Sequence, residues 1–238
     1  MTIPCVFECS DGQERVLKFR NRATRQALAS DWIGSLLATA LEIRTPAPAL
    51  VEVDEEAVST MSQEAKSDAR PGFAFGTAFL PAAQNVVGVR GITACSNHAE
   101  LLGRLAVLDT WIGTQDRQRP DGAWNLLSEL DDGPQPKLVA IDFGMAFTDA
   151  LFPLFGTHDH PTTKLVWPGE VKPLADLEAV SETVAQVENM TDADIIKQVE
   201  TIPGAWLSAE ERGHVIGSLF ARRQEIAGAM TELEGRRD

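Results

Sequence analysis

Basic residues are scarce in this sequence. The chain of 238 residues has 21 Lys and Arg against 35 Asp and Glu, and its formal net charge at pH 7 is −14. A protein with this charge has no broad positive field that would attract polyanions. We therefore expect no direct binding to nucleic acid and no docking on an anionic membrane surface. A single cationic pocket remains compatible with a small anionic ligand.

Cysteines and long apolar runs are scarce as well. Of the three Cys, Cys5 and Cys9 on one face of a strand would lie roughly 13 Å apart at about 3.3 Å per residue, too far for a disulfide bond. No apolar stretch is long enough to span a bilayer. The first residues, MTIPCVFECSDGQ, lack the apolar run of a signal peptide. We expect a cytoplasmic protein with reduced thiols and no membrane association.

The remaining composition is that of a folded globular protein. Apolar residues make up 44% of the chain and charged residues 24%, which are ordinary proportions. A chain of this length can bury a sizeable core as one or two compact units.

The first part of the chain, residues 1–96, carries mostly strand patterns around one helix. Alternating strand formers, turn residues and apolar residues at helical spacing support this assignment. The polar stretch 59–70 is expected to be a variable loop. The predicted strands are 4–9, 14–20, 49–53 and 73–80, and the predicted helix is 23–41.

The rest of the chain is mostly helical, with one hairpin. Turn residues at 131–134 separate two short apolar runs, as a chain reversal requires. Asn97 is a candidate N-cap for the first helix, and Ser208 with Glu211 resembles a capping box at the last one. The fold is therefore expected to be α+β. The predicted strands are 125–130 and 137–141, and the predicted helices are 97–112, 176–187, 192–200 and 208–233.

Three oxygen-bearing side chains are expected to meet at the open end of this hairpin. Asp116 and Asn125 lie at the start of its first strand, and Asp142 follows the second strand. Antiparallel pairing brings Asn125 close to Asp142 although they are 17 positions apart. Carboxylate and amide oxygens are ligands that Mg²⁺ prefers, and Mg²⁺ in such sites keeps substrate phosphates as partners.

The pattern Asp-Arg…Asn followed by Ile-Asp-Phe-Gly resembles the catalytic and metal-binding loops of the kinase superfold. The resemblance is greatest to the HipA-like kinases, with phosphoinositide kinases more distant. It implies a bilobal fold, with a small β-rich N-lobe over 1–96 and a mostly helical C-lobe over 97–238. It also implies an ATP- and Mg²⁺-dependent phosphotransferase in which Asp116 is the base and Asn125 and Asp142 hold the metal.

The same resemblance implies roles for four residues of the first lobe. Lys18 would pair with the nucleotide phosphates, and Asp31 on the following helix would hold that Lys in place. Phe79 and Leu80 would form the hinge whose backbone groups bind adenine. The local sequence also allows structural roles for both residues. Lys18 could be a charged residue that protects a sheet edge from aggregation, and Asp31 could lie on a solvated face of its helix. Because the family usually has the longer Glu here, we expect a looser pair or a shifted helix.

Two features depart from the family pattern. Asp116 and Asn125 are nine positions apart, where the family usually has about five. Asp121, in the extra length, is therefore a rival for part of the role of Asp116. No glycine-rich loop is found near the N-terminus, where Gly12 is better explained by a hairpin turn. Phosphate binding is expected to be weaker, or to depend on the loop 11–13.

Several neighbours of this site have structural interpretations. Arg117 either neutralises charge on the transferred phosphate or anchors the loop. Asp109 is expected to bind loop backbone, and Trp111 and Trp124 are expected to pack rather than to bind substrate. The run His158-Asp159-His160 is expected in an exposed loop, because two His without a further ligand rarely bind a metal.

These features favour a kinase that phosphorylates Ser or Thr of a protein, with ATP as the donor. No motif identifies the acceptor protein or any other partner. A catalytically weak, kinase-like regulatory protein is the main alternative, supported by the departures from the family pattern. A kinase acting on a lipid or small molecule is a further alternative.

Overall fold

The computed structural model of the protein describes residues 5–19, 25–131, 133–151 and 163–234. Within these ranges the chain forms seven strands, nine α-helices and a short 3-10 turn. The strands are β1 (Cys5–Glu8), β2 (Glu14–Lys18), β3 (Pro48–Val53), β4 (Gly72–Ala78), β5 (Ala83–Val87), β6 (Ala123–Glu129) and β7 (Lys137–Ala140). The helices are α1 (Arg25–Ala40), α2 (Glu55–Thr60), α3 (Gln63–Asp68), α4 (Gly88–Thr93), α5 (His98–Ile112), α6 (Thr148–Leu151), α7 (Leu177–Asn189), α8 (Asp192–Glu200) and α9 (Ala209–Glu234).

The first four strands form one antiparallel sheet in the order β1-β2-β4-β3. Strand alternation places Val16 and Lys18 on one face of β2 and Leu17 on the other. Lys18 lies opposite Phe75 of β4, and Phe75 belongs to the main core of the molecule. The inner face, which carries Lys18, therefore points toward the main core. The outer face, which carries Leu17, packs on a separate small core.

The expectation of a loop at 59–70 is wrong, because most of this stretch lies in the end of α2 and in α3. Both helices are only six residues long, too short for an apolar periodicity to be recognisable. Capping side chains define them instead: Asp54 accepts from the Ala57 N–H, and Ser62 accepts from the Ala65 N–H. The two helices cover part of the outer face of the sheet.

A second, three-stranded sheet has the order β5-β6-β7. Its β6–β7 part is the predicted hairpin, whereas β5 and α4 fall in a stretch for which the sequence pattern predicts no element. β5 pairs with β6 through a register irregularity between Asn85 and Val87. Bulged, partly polar strands lack the alternation by which strands are recognised. The proposed lobe boundary between residues 96 and 97 stays a prediction.

The helical part of the molecule is built around α5, which is buried along most of its length. α7 and α9 pack against it. Asn97 occupies the N-cap position of α5, as predicted, but its side chain makes no cap bond. It instead pairs with the backbone of Leu138 in β7, at 2.7 and 3.1 Å. The predicted capping box of α9 is confirmed by bonds in both directions between Ser208 and Glu211.

The described part of the chain is thus a β-rich unit followed by a mostly helical one, and the predicted α+β class is confirmed. None of its helices is both long enough and apolar enough to cross a membrane.

Candidate active site

Lys18 lies between two carboxylates from distant parts of the chain. Its Nζ is 2.8 Å from Asp31 Oδ2 on α1 and 2.8 Å from Asp142 Oδ1 in the loop after β7. The Lys18 side chain is 17% exposed and that of Asp31 only 2%. The structure therefore brings together Lys18, Asp31 and Asp142. The family resemblance implied a phosphate contact for Lys18, the positioning of that Lys for Asp31 and a metal contact for Asp142. Lys18 lies on a central strand rather than at a sheet edge.

The Lys18–Asp31 distance of 2.8 Å is that of a direct ion pair, so the expectation of a looser pair is wrong. Asp31 Oδ1 also accepts from the backbone N–H of Phe143 at 2.9 Å. This short side chain reaches both partners because α1 lies very close to the Asp-Phe-Gly loop. A Cβ at Gly34 would be 2.4 Å from the Phe143 Cβ. Sequence reasoning missed Gly34, whose only signal is a glycine inside a helix, where it is normally unfavourable.

Asp142 has an unusual backbone, with a φ of 57°. Few residues other than glycine adopt this left-handed conformation, and such outliers concentrate at functional sites. The Gly144 N–H lies 3.3 Å from Asp142 Oδ1. A Cβ at Gly144 would be 3.2 Å from Asp31 Oδ2 and 3.3 Å from Asp142 Oδ1. The glycine of Asp-Phe-Gly therefore leaves room for both carboxylates.

The charges of this cluster shift one another's pKa values. Burial alone would lower the pKa of Lys18, but Asp31 and Asp142 outweigh it and raise the pKa above its ordinary value. Burial raises the pKa of Asp31 to about 6, although Lys18 opposes the change. Burial acts in the same sense on Asp142, but Lys18 prevails and lowers its pKa. Lys18 and Asp142 are therefore both charged at neutral pH.

Asp116 lies in the loop after α5 with a carboxyl group that is only partly satisfied. Its Oδ1 is buried and has no hydrogen-bond partner among the described residues. Burial first, and the charge of Asp142 second, raise the pKa of Asp116 to about 6. A carboxylate in this state can accept a proton from a group placed beside it.

The extra length of the catalytic loop folds back on itself. The Arg119 N–H donates to the Ala123 carbonyl at 2.8 Å, and Gln118 pairs with Trp124. Asp121 stabilises this turn through Arg119 at 2.8 Å and the Ala123 N–H at 3.1 Å, and its side chain is 57% exposed. These contacts give Asp121 a turn-forming role and leave Asp116 as the stronger candidate base.

The same turn carries Asn125 back beside Asp116. The Asn125 Nδ2 donates to the Asp116 carbonyl at 2.9 Å, and the Asn125 carbonyl accepts from the Ile141 N–H at 3.1 Å. Asn125 therefore lies across the hairpin from the residue that precedes Asp142. The adjacency predicted from strand pairing is confirmed, while metal binding by either side chain stays a prediction.

Arg117 anchors the catalytic loop, which is the second of the two roles considered for it above. The side chain is 1% exposed and makes a two-pronged ion pair with Asp109, at 2.8 and 2.6 Å. It also donates to the carbonyls of Asn125 and Ile141 at 3.0 and 2.7 Å. Asp109 is structural as expected, but it binds side chains rather than loop backbone. Its other partner is the indole N–H of Trp167, at 2.9 Å, a contact that the sequence did not indicate.

Trp111 and Trp124 are both buried, so the prediction that they pack is confirmed. Trp111 lies under α9 and donates its indole N–H to the Leu219 carbonyl at 3.0 Å.

The predicted hinge follows β4 directly. The Phe79 N–H donates to the Glu14 carbonyl at 3.0 Å, and the Leu80 carbonyl accepts from the Ala83 N–H at 3.1 Å. These two groups are used within the fold, so any adenine contact at Phe79 or Leu80 would involve their other backbone atoms. The hinge assignment stays a prediction.

The loop at 11–13 is a hairpin turn, as the sequence suggested for Gly12. Gly12 has a φ of 73° and donates to the Cys9 carbonyl at 2.8 Å. Asp11 forms a two-pronged ion pair with Arg15, at 2.7 and 2.7 Å. Both contacts hold the turn together, and neither gives it the character of a glycine-rich phosphate loop.

The described residues contain no cluster of three or more His, Cys, Asp or Glu side chains arranged to hold a metal ion. This agrees with the chemistry of the predicted ligands, because Mg²⁺ in phosphotransfer sites commonly takes only one or two carboxylates and completes its shell with phosphates and water. The run His158-Asp159-His160 lies outside the described residues.

The fold is similar to that of two solved kinase-family structures. The proinflammatory kinase CtkA of Helicobacter pylori aligns with a TM-score of 0.62 at 10% identity, over 97% of this chain and 94% of CtkA. HipA of Shewanella oneidensis, solved with HipB and operator DNA as a toxin–antitoxin system, aligns with a TM-score of 0.58 at 10% identity. That alignment covers 94% of this chain but 61% of the HipA chain. The predicted kinase-like, bilobal architecture is thereby confirmed.

No curated protein sequence matches the chain. The family model described as HipA-like kinase matches residues 1–227, a range that includes every site residue discussed above. The chain therefore belongs to the HipA-like kinase family.

Proposed function

We propose that the protein is an ATP- and Mg²⁺-dependent phosphotransferase that acts on a Ser or Thr hydroxyl of another protein. The observation that carries this proposal is the position of Lys18, 2.8 Å from both Asp31 and Asp142. Burial and the charge of the same Asp142 raise the pKa of Asp116, whose buried Oδ1 has no hydrogen-bond partner among the described residues. This arrangement joins a cation for phosphate, a carboxylate for metal and a carboxylate for the acceptor.

The balance of charge at the site suits a divalent cation. Asp31 and Asp142 share the ammonium of Lys18. Asp116 lies within the influence of the Asp142 charge, and the guanidinium of Arg117 is already paired with Asp109. Bound Mg²⁺ would supply positive charge to the transferred phosphoryl oxygens. Asp142 and Asn125 are the residues that would hold it.

The chain's own residues would act by positioning and by accepting a proton. Lys18, fixed by Asp31, would orient the phosphates of ATP. The acceptor oxygen would form a bond to the γ-phosphorus as the bond to the β-phosphate oxygen breaks, and ADP would leave. Asp116 would accept the hydroxyl proton. Arg117 would keep the catalytic loop and both hairpin strands in register.

The acceptor class rests on the resemblance of Asp116, Asn125 and Asp142 to the loops of protein kinases. The fold similarity to a protein described as a kinase, CtkA, supports phosphotransfer in general terms. We further propose that the protein is cytoplasmic, that its partners are ATP and a protein acceptor, and that it binds neither nucleic acid nor membrane directly.

Incubation with γ-labelled ATP, with and without Mg²⁺, tests the proposal. Label should appear on the protein itself or on acceptor proteins from an extract, on Ser or Thr, and only when Mg²⁺ is present. The Asp116→Asn variant is the matched negative control. Label on lipid or on a small metabolite instead would reassign the acceptor class.

A second candidate function is a kinase-like regulatory protein with little catalysis. The specific observation that favours it is the turn at Gly12, whose contacts hold a hairpin instead of a phosphate-covering loop. Saturable Mg-ATP binding without transfer to any acceptor would support this alternative and exclude the enzyme.

A further inference from the structure

The turn between α8 and α9 contacts the first sheet. We call residues 202–211, which comprise this turn and the first residues of α9, the α8–α9 corner. Trp206 within the corner is fully buried, and its indole N–H donates to the Phe73 carbonyl of β4 at 3.3 Å. The corner is therefore packed against the first sheet, although 133 positions separate Trp206 from Phe73.

The same corner holds the first residue of α1. The guanidinium of Arg25 makes a two-pronged ion pair with Glu211, at 3.0 and 2.7 Å. It also donates to the Trp206 carbonyl at 3.0 Å. Further along α1, the Trp32 indole N–H donates to Thr201 Oγ1 at the end of α8, at 2.8 Å. The helix is therefore fixed to the helical part of the molecule at two points along its length.

The position of Arg25 at the start of a helix is unusual in electrostatic terms. The helix macrodipole favours acidic residues at this end and disfavours basic ones, and the first turn of α1, all of it within the described residues, contains no acidic residue. Glu211 supplies the compensating charge. Its carboxylate also accepts from the Ser208 N–H at 2.7 Å and is 19% exposed, so the pair is more rigid and less solvated than a typical surface salt bridge.

Both elements that the corner contacts influence Lys18. β4 pairs with β2 and places Phe75 opposite Lys18. α1 carries Asp31, whose carboxylate lies 2.8 Å from the same Lys. Because the corner is bonded to β4 and to α1, it fixes the position of the helix relative to the sheet, and with it the position of Asp31 relative to Lys18.

We propose that Glu211 is a positioning residue that acts on Lys18 through Arg25 and α1. The pair with Arg25 holds α1 where the Asp31 carboxylate meets the Lys18 ammonium. Without the pair, α1 loses its contact with the corner at its first turn, and Asp31 holds Lys18 less closely. The importance of this positioning for phosphotransfer rests on the proposed function, in which Lys18 orients the phosphates of ATP.

Two single substitutions remove the pair. Arg25→Gln removes the guanidinium, and Glu211→Gln removes the charge while a Gln at this position can still form the capping box of α9. Arg223→Gln is the matched control. Arg223, also on α9, binds one carboxylate and one backbone carbonyl, those of Asp192 and Met190, and both partners lie in the helical part of the chain. Circular dichroism verifies that each variant is folded at the temperature of the assays.

The reactivity of Lys18 tests the proposal without any nucleotide. An N-hydroxysuccinimide ester acylates only the uncharged amine, and mass spectrometry of the peptide that contains Lys18 gives the rate. Burial lowers the pKa of Lys18 and Asp31 raises it, so a weaker contact with Asp31 leaves more uncharged amine. We expect acylation about threefold faster or more in both pair variants, and a rate within about twofold of wild type in Arg223→Gln.

The affinity for Mg-ATP is the second measurement. Both pair variants should bind Mg-ATP about three- to tenfold more weakly, and the double variant no more weakly than either single one, because the two residues act as a unit. In an Asp31→Asn background, Arg25→Gln should change the affinity by less than about twofold, since α1 then lacks the charge that positions Lys18. A purely structural role would weaken binding in both backgrounds.

Three results would overturn the proposal: Lys18 reactivity unchanged in both pair variants, an equal change in Arg223→Gln, or an undiminished effect of Arg25→Gln in the Asp31→Asn background. The proposed function fails separately, if the wild-type protein does not bind Mg-ATP. In that case faster acylation of Lys18 in both pair variants would still support the positioning role of Glu211.

Discussion

The carboxyl group of Asp116 has fewer hydrogen-bond partners than those of the acidic residues near it. Asp109 accepts hydrogen bonds from Arg117 and Trp167, and Asp121 binds Arg119 and the Ala123 backbone. One buried oxygen of Asp116 has no partner among the described residues. A buried polar atom without a partner is unfavourable, and a catalytic role is one explanation for its presence. This contrast supports Asp116 as the base.

Replacing Asp116 by Asn should separate binding from catalysis. Asn has nearly the same shape as Asp, but it cannot take up the proton of the hydroxyl group that receives the phosphate. We expect Mg-ATP affinity close to wild type and transfer slowed by about 10²- to 10⁴-fold, the usual range for losing general-base assistance. Calorimetry and single-turnover transfer measure the two properties.

Two companion variants control this experiment. Asp142→Asn should lose Mg²⁺-dependent nucleotide binding as well as transfer, whereas Asp121→Asn should affect only the turn. A fully active Asp116→Asn protein together with an inactive Asp121→Asn protein would move the base to Asp121.

The raised pKa of Asp116 also predicts how activity depends on pH. Burial and the charge of Asp142 raise this pKa to about 6. Since only the ionised carboxyl accepts a proton, the transfer rate should fall as the pH decreases through about 6. Asp142 should stay ionised there, because its pKa is lowered. Asp31, whose pKa is also about 6, takes up a proton in the same range and loosens its hold on Lys18, so Mg-ATP affinity is measured at each pH beside the transfer rate. A transfer rate that is flat between pH 5 and 8 would exclude this role for Asp116.

Stability should change with pH in the opposite sense. The folded protein holds a proton on Asp116 more tightly than the unfolded chain does, because the carboxyl of an unfolded chain keeps the ordinary aspartate pKa of 3.8. The stabilising contribution is therefore complete below about pH 4 and is lost as the pH rises through about 6. Asp116→Asn should raise the melting temperature at neutral pH more than at pH 4. Thermal melts of both proteins across this range measure the difference.

The close approach of α1 to the Asp-Phe-Gly loop is the decisive contact between elements. It depends on Gly34, because a Cβ there would be 2.4 Å from the Phe143 Cβ. Only with this approach does Asp31 reach both Lys18 and the Phe143 N–H, at 2.8 and 2.9 Å. The helix therefore positions Lys18 through packing as well as through charge.

Gly34→Ala tests this contact. Overpacking of this kind typically destabilises by about 1 to 3 kcal/mol, and we expect the variant to lose stability and to bind Mg-ATP more weakly. Gly228→Ala in α9 is the matched control, since a Cβ there meets nothing within 4 Å. It should be neutral or stabilising by about 0.4 to 1 kcal/mol. Equal effects of the two substitutions in thermal melts would show that the packing of α1 against the Asp-Phe-Gly loop does not depend on a glycine at position 34.

Local patterns allowed most elements to be predicted from the sequence, whereas the roles of the site residues came from the family resemblance and stay predictions. The hairpin of β6 and β7 and the segments around Asp116 and Asp142 are continuous in the chain. Gly34 and Trp167 were missed because their importance arises only from contacts with residues more than 50 positions away. The short helices α2 and α3 were missed because six residues carry too little periodicity.

At the scale of the whole molecule, the candidate active site joins parts of the chain that are distant in sequence. Lys18 comes from the first sheet, Asp142 from the loop after β7, and 124 positions separate them. In the structure they contact each other directly. A ligand that carries phosphates and Mg²⁺ would bind to both and so connect the sheet to the helical part.

Such a ligand should therefore stabilise the whole fold. Any ligand that binds only the folded protein adds about 2.7 kcal/mol at a concentration of about 100 times Kd, and we expect a corresponding rise in melting temperature with Mg-ATP. ATP with a chelator should give less, because without the metal the charges of Asp142 and the phosphates repel each other. Lys18→Ala should abolish most of the rise, since it removes the cation that contacts phosphate. A melting temperature unchanged by millimolar Mg-ATP would argue against a nucleotide site at Lys18 and Asp142, whatever the similarity of fold.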